Sequence, residues 1–132
     1  MALRGIRGAI TVKKNSRKEI LSATRKLLKK LVAVNKIKAD DVASIIFSTT
    51  KDLNAEFPAF AARELGWLFT PLLCTAEIPV PGSLKRCVRI LIYLNTTKKQ
   101  KQIKHVYLGG AKKLRPDLKA KKRGLYYLSN NS

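Results

Sequence analysis

Apolar and polar positions along the chain predict an alternation of strands and helices. Between Leu3 and Val12 the residues alternate, which predicts a strand: one face carries Ile6, Gly8, Ile10 and Val12, and Arg7 points to the other. From residue 17 to 34 the apolar side chains instead recur with helical period, which predicts a long amphipathic helix. Ser16 and Glu19 have the spacing of a capping box, so this helix is expected to begin directly after Ser16.

Four further strands and a short helix are predicted downstream. The strands cover residues 42–48, 70–78, 86–94 and 103–108, and Pro58 suits the first turn of the short helix. Strand 86–94 alternates most clearly, with Arg89 on the face opposite its main apolar row. Five strands and one long helix favour an α+β fold with a single sheet. Since one helix cannot cover five strands, we expect another copy of the chain to bury the second face.

Length and composition restrict the class of protein. The 132 residues, 45% of them hydrophobic and 27% charged, are typical of one globular domain. No apolar run reaches the roughly 18 residues of a membrane span, and the first residues lack the apolar core of a signal peptide. We therefore expect a soluble, cytoplasmic protein. Two cysteines and one histidine, His105, make a disulfide framework or a Cys/His metal site improbable.

The net charge of the chain is unusual and favours anionic partners. There are 28 Lys and Arg residues against 8 Asp and Glu, a net charge of +20. Ten basic residues lie between positions 13 and 38, and eleven between positions 98 and 123. An RNA-binding module is one hypothesis, and a solvated surface that only maintains solubility is another. Because no RNA-binding motif is present, any contact with nucleic acid is expected to be non-specific.

Candidate chemistry lies in arginines placed within apolar elements. No nucleophile triad, Walker loop or dinucleotide motif is present, and packing roles are expected for His105 and the Cys74 thiol. Arginine side chains bind carboxylates through two parallel hydrogen bonds. Together with Glu77 and Tyr107, several arginines would make a site for a small dianion. Individually, each arginine would be a solvated residue and Glu77 an ion-pair partner. The arginines concerned are Arg7, Arg63, Arg89 and Arg115.

Several motifs together resemble one enzyme family. Their order and spacing, from about residue 3 to 118, are similar to those of the AroH-type chorismate mutases, which are small, monofunctional and trimeric. The motifs are RGIRGA at 4–9, DLNAEFPA at 52–59, ARELGW at 62–67, LKRCVR at 84–89, HVYL at 105–108 and LRPDL at 114–118.

The resemblance implies a reaction and an assembly. The reaction is the Claisen rearrangement of chorismate to prephenate in aromatic amino-acid biosynthesis, without metal, cofactor or covalent intermediate. The implied fold is a single mixed five-stranded sheet packed by one long helix, three copies of which form a pseudo-α/β barrel with sites at the subunit interfaces. Residues 1–118 would form this domain, and residues 119–132 a basic C-terminal tail that we expect to be mobile.

The resemblance also implies residue roles. Arg89 would donate to the ether oxygen of the breaking C–O bond, and Arg7 and Tyr107 would hold the enolpyruvyl carboxylate. Glu77 would accept from the ring hydroxyl, with the Cys74 backbone nearby. The remaining pocket residues would be Phe57, Ala59, Leu73 and Leu114, with Arg115 and, from the neighbouring subunit, Arg63.

Phe60 stands where the family has a lysine at the edge of the site, so an accessory cation is expected to be missing there.

A third hypothesis is a non-catalytic relative that binds a dicarboxylate. The presence of Arg89 together with Glu77 disfavours it, because a relative without catalysis has no need for both.

Overall fold

The structure, a computed structural model, describes residues 1–114 and, as backbone, residues 126–128. Its strands are β1 (Ala2–Thr11), β2 (Val42–Thr49), β3 (Leu72–Ala76), β4 (Cys87–Thr96), β5 (His105–Leu108) and β6 (Tyr126–Leu128). Its α-helices are α1 (Arg17–Asn35) and α2 (Ala59–Glu64). The strands form one sheet in the order β3-β2-β4-β1-β5-β6. Of the helices described, none combines the length and the apolar character that a membrane span needs.

Helix α1 begins and ends where local chemistry favours it. The Ser16 hydroxyl accepts a hydrogen bond from the Glu19 backbone N–H at 3.2 Å, which satisfies one of the free donors of the first turn. At the other end Lys36 adopts the left-handed conformation, with φ of 53°, and its N–H bonds back to the last turn. The predicted helix is therefore confirmed to within one residue at its C-terminal end.

One face of the sheet is covered by α1 and forms the main core. The helix buries its apolar stripe on this face, contributing Ile20, Leu21, Leu27, Leu28 and Leu31. Gly8 in β1 allows close approach, because a Cβ atom there would lie 2.8 Å from the Leu31 side chain and 3.2 Å from the Val106 carbonyl oxygen. The packing of helix on sheet thus depends on a residue without a side chain at this position.

The sheet is mixed, as expected for the fold class. Strand β1 runs antiparallel to β4 and parallel to β5, while β2 runs antiparallel to β4 and parallel to β3. The five predicted strands are present, but β3 and β5 are shorter than predicted. For β3, Pro71 and Pro79 flank the strand and neither has an N–H to continue the ladder.

A sixth strand was not predicted. Strand β6 pairs in parallel with β5, His105 opposite Tyr126 and Tyr107 opposite Leu128. It lies within the segment 119–132 that the sequence analysis treated as a tail, and the rest of that segment falls outside the described residues. The single mixed sheet is confirmed with this additional edge strand.

The face of the sheet opposite α1, here called the open face, carries a small second cluster. Tyr107, Ala9, Cys87 and Ala111 are buried there, and Leu84 and Leu114 pack against them. The alternation in β1 and β4 predicted that Arg7 and Arg89 would face this side, and both are exposed on it. The open face therefore combines a small apolar cluster with two cations.

Candidate active site

The site is built on one row of residues that crosses the open face. Strand pairing places Ala9 opposite both Arg89 and Tyr107, and Ser48 opposite both Arg89 and Thr75. Directly opposed residues of neighbouring strands point to the same side of a sheet. Tyr107, Arg89, Ser48 and Thr75 therefore share one face, and the small side chain of Ala9 leaves space between Tyr107 and Arg89.

Glu77 approaches this row from the end of β3. Its backbone N–H bonds to the Thr49 carbonyl oxygen at 2.8 Å, which continues the pairing of β3 with β2. The carboxylate accepts a hydrogen bond from the Ser48 hydroxyl and lies 3.7 Å from Nε of Arg89. Ser48 and Arg89 thus fix the direction of Glu77, the one acidic side chain among the described residues that line the site.

Arg7 lies one row away, next to Leu91 of β4. Its backbone N–H donates to Nδ1 of His105 at 2.9 Å, which ties β1 to the start of β5. The histidine thus has a structural contact, as the sequence analysis expected. Its neighbour Arg7 is left with an exposed side chain on the open face.

These residues line a cavity of about 350 Å³, here called the catalytic cavity because the predicted catalytic residues Arg7, Glu77 and Arg89 line it. The volume lies within the range of sites for small ligands. Two guanidinium groups and one carboxylate give the cavity a net positive charge, and the Arg89 side chain is 45% exposed, so it remains accessible to a ligand. The predicted residues that line it are Arg7, Glu77, Arg89, Tyr107 and Leu114.

A second group of predicted residues lies elsewhere. Phe57 and Cys74 line another cavity of about 350 Å³, formed by residues 53–58 and the end of β3, here called the loop cavity. Thr75 lines both cavities, so the two meet at the edge strand. Ala59 is buried in α2, and the Arg63 side chain, exposed on the same helix, lies close enough to Cys74 to affect its ionisation. Within one chain, this group does not reach the catalytic cavity.

An arginine of α1 contacts Phe60. The Arg17 guanidinium lies over the Phe60 ring, 5.4 Å from its centroid, and donates to the Glu56 carboxylate at 2.8 Å. The Phe57 backbone N–H bonds to the same carboxylate at 2.9 Å, and this bond is the main cause that lowers the pKa of Glu56. Arg17 therefore lies beside Phe60 with its charge paired to Glu56, and the missing accessory cation at the substrate site stays a prediction.

Neither cysteine has the environment of a nucleophile. Burial raises the pKa of the Cys74 thiol, against smaller opposite effects from the Ala59 backbone and Arg63. Burial also raises the pKa of the Cys87 thiol to about 11, although Arg89 lies nearby. A reactive cysteine needs a lowered pKa, so both thiols remain protonated and unreactive at neutral pH.

Leu73, like Ala59 and Arg63, lines neither cavity. It lies on the open face of β3 and is 61% exposed. Arg115 lies outside the described residues. Sequence reasoning missed Ser48, which orients Glu77. Ser48 and Ile46 are two positions apart in β2 and therefore share one face, but only the strand register shows which face this is.

The described residues of the site can bind and polarise an anion, and none of them is a reactive nucleophile. Two arginines and a tyrosine converge on one cavity, where they can hold a carboxylate and donate to a second oxygen. Glu77 offers an acceptor and a negative charge opposite them. Such a site can stabilise separated charge in a transition state, which is the electrostatic contribution to catalysis.

Comparison with known proteins agrees with this chemistry. The family model described as chorismate mutase type I matches residues 3–118. The chain is 47% identical over 119 residues to chorismate mutase AroH of Bacillus subtilis (strain 168), covering 89% of this chain and 94% of that relative. It is 48% identical over 119 residues to chorismate mutase AroH of Thermus thermophilus, covering 89% and 98%.

A solved structure is similar as well. A chorismate mutase from Clostridium thermocellum superposes with a TM-score of 0.81 at 55% identity, covering 82% of this chain and 96% of that one. The resemblance stated from the sequence motifs is thereby confirmed. With a matching family model over most of its length, relatives of nearly half identity and the same fold, the chain belongs to the type I chorismate mutase family.

Proposed function

We propose that this protein is a chorismate mutase, an isomerase that converts chorismate to prephenate in aromatic amino-acid biosynthesis. The observation that carries the proposal is the convergence of Arg7, Arg89, Tyr107 and Glu77 on one cavity, in a chain of this family. Chorismate carries two carboxylates, and a cavity with an excess of guanidinium groups suits a dianion. The rearrangement is unimolecular and needs no nucleophile.

Arg89 is the central catalytic residue of the proposal. As the C–O bond of chorismate breaks, negative charge develops on the ether oxygen, and the Arg89 guanidinium donates to it. A preorganised donor of this kind contributes about 3–4 kcal/mol of transition-state stabilisation. Because chorismate itself lacks this charge, the interaction is stronger in the transition state and accelerates the reaction.

The other residues orient the substrate. Arg7 and Tyr107 hold the enolpyruvyl carboxylate, and Glu77 accepts from the ring hydroxyl and faces the cationic ring fragment. Holding chorismate in a compact shape brings the two reacting carbon atoms together and removes part of the entropic barrier. With these contributions a modest enzyme lowers the barrier by roughly 8 kcal/mol.

We also propose a trimer in which a neighbouring subunit completes each site. The division of the predicted residues into two cavities supports it, since Phe57, Ala59 and Arg63 of one subunit would then face the catalytic cavity of the next. Exposed apolar side chains near the edge strand support it as well: Phe69 is 98% exposed, Leu68 71%, Ile78 80% and Leu73 61%. Isolated monomers rarely expose such a set together.

An assay of the purified protein with chorismate tests the function. We expect the absorbance of chorismate to fall without added metal or cofactor, and acid treatment of the product to yield phenylpyruvate. Loss of chorismate no faster than in buffer alone, from a folded sample, would reject the proposal.

Sedimentation of the same sample tests the trimer. We expect the enzyme to act in the cytoplasm, with nucleic acid bound only non-specifically.

A further inference from the structure

We propose that Asn15, together with Arg17, is a positioning residue that holds the segment 54–57 and thereby sets the place of Phe57. Neither Asn15 nor Arg17 was among the predicted site residues, and neither lines the catalytic cavity. The inference rests on the proposed function, because Phe57 matters only if its segment forms a wall of the substrate site.

Both polar atoms of the Asn15 side chain, Oδ1 and Nδ2, form hydrogen bonds with this segment. Its Oδ1 accepts from the backbone N–H groups of Asn54 at 3.1 Å and Ala55 at 3.0 Å. Its Nδ2 donates to Oδ1 of Asn54 at 2.7 Å. These three hydrogen bonds join the residue before the cap of α1 to a segment about forty positions later, where no strand pairing is present.

Arg17 holds the next part of the same segment. Its Nε donates to the Glu56 carboxylate at 2.8 Å, and the other oxygen of that carboxylate accepts the Phe57 N–H at 2.9 Å. The guanidinium also lies over the Phe60 ring. Asn15 and Arg17 therefore contact Asn54, Ala55 and Glu56, and the Glu56 carboxylate in turn holds the backbone N–H of Phe57.

Phe57 depends on these contacts because its own ring is not packed. The residue is 70% exposed and stands outside the main core, although it borders the loop cavity. A buried aromatic residue is positioned by its neighbours, whereas an exposed one takes its position from its backbone. The backbone of Phe57 is held by Glu56, which Arg17 holds in turn.

Substrate kinetics distinguish positioning from a general effect on folding. If Phe57 contacts bound substrate equally in the ground state and the transition state, its displacement raises KM and leaves kcat little changed. For Asn15→Ala we expect KM to rise about fivefold or more, with kcat within about twofold of the wild type. Asn15→Asp keeps the Oδ1 acceptor for both backbone N–H groups, and the Asn54 side-chain amide can flip to donate to the new oxygen, so this variant should restore KM to near the wild-type value.

Ser16→Ala is the matched control. It removes the cap of α1 at the neighbouring position, but Ser16 makes no described contact with the segment 54–57. We expect this variant to be less stable with an unchanged KM. Unchanged kinetics in Asn15→Ala, an equal rise of KM in Ser16→Ala, or failure of Asn15→Asp to restore KM would each overturn the proposal.

Amide hydrogen exchange gives a readout that does not depend on catalysis. In Asn15→Ala the amides of Asn54 and Ala55 should exchange at least about tenfold faster, while core amides of β1 are unchanged. Exchange as slow as in the wild type would overturn the proposal. If the wild type did not convert chorismate, the proposed function would fail, and exchange would still decide whether Asn15 holds the segment.

Discussion

At the scale of single residues, the candidate site residues could be recognised in the sequence wherever a residue type was unusual for its place. Arg7 and Arg89 interrupt apolar strands, and Glu77 is the only acid between Glu64 and Asp117. The contact of Glu77 with Arg89 could not be predicted, because it depends on the register between β2 and β4. Ser48 could not be singled out either, since a serine on the polar face of a strand is ordinary.

Replacing Arg89 by alanine should lower kcat by at least about a hundredfold, because a preorganised donor at the ether oxygen is lost. Steady-state kinetics and circular dichroism of the variant measure activity and fold together. Arg4→Ala is a suitable control, since Arg4 also lies in the sheet but donates to the Lys98 carbonyl oxygen, away from the catalytic cavity. Near-normal turnover in Arg89→Ala would reject the assigned role.

Cys87 should make the protein less stable at alkaline pH. The pKa of its thiol is raised by burial from 9.0 to about 11, so between these values the folded state holds a proton that the unfolded state has lost. The protonated thiol contributes its full stabilisation of the folded state below pH 9. As pH rises towards 11, the free energy of unfolding falls by as much as roughly 2 kcal/mol. Urea unfolding of the wild type and of Cys87→Ala at several pH values measures this loss. If the free energy of unfolding fell equally with pH in both proteins, the prediction would be contradicted.

At the scale of elements, local signals predicted the helices better than the ends of the strands. Ser16 placed the start of α1 because its hydroxyl satisfies a free N–H of the first turn, and Pro58 placed α2 because its fixed φ suits a helix start. Strand ends are set by partners distant in sequence, so β3 and β5 came out shorter than predicted. Strand β6 was missed for the same reason: three residues carry little periodicity, and their partner β5 supplies the pairing.

Gly8 provides a test of how α1 packs on β1. In Gly8→Ala the new methyl group would meet the Leu31 and Leu27 side chains and the rigid Val106 carbonyl, so we expect a loss of about 1–3 kcal/mol in the free energy of unfolding. Denaturant titration measures the loss.

Gly5→Ala is the matched control on the same strand. A Cβ atom at Gly5 would have its nearest neighbour at 3.7 Å, an ordinary contact with the Leu91 side chain. Its stability should match or slightly exceed that of the wild type, since alanine restricts the unfolded chain more than glycine does. Equal losses in the two variants would mean that the approach of α1 to β1 is not what restricts position 8.

At the scale of the whole molecule, the composition indicated an anionic partner but could not specify which one. A charge of +20 suits RNA, a small dianion or only water. The motifs and the cavity favour the dianion, because two guanidinium groups face the same enclosed space. The division of the predicted residues between two cavities was also beyond sequence reasoning, since patterns along one chain do not reveal which residues a second copy would bring together.

The excess positive charge should accelerate substrate capture. Chorismate is a dianion, and a field of opposite sign raises the rate of its diffusional encounter with the protein. We expect kcat/KM to fall as salt rises from about 10 to 500 mM, because the Debye length shortens from roughly 30 Å to a few ångströms. The value of kcat should change little, as it reports events after binding. A flat profile of kcat/KM would exclude such steering.

The position of β1 has a consequence for how the chain is made. Strand β1 is made before the other strands of the sheet but lies in its middle, and its neighbours β4 and β5 begin only at Cys87 and His105. At typical rates of synthesis β1 waits roughly 5–20 s with both edges unpaired. The nascent chain therefore cannot fold progressively from its N-terminus. The central strand stays available to chaperones, or to aggregation, until β4 and β5 have been made.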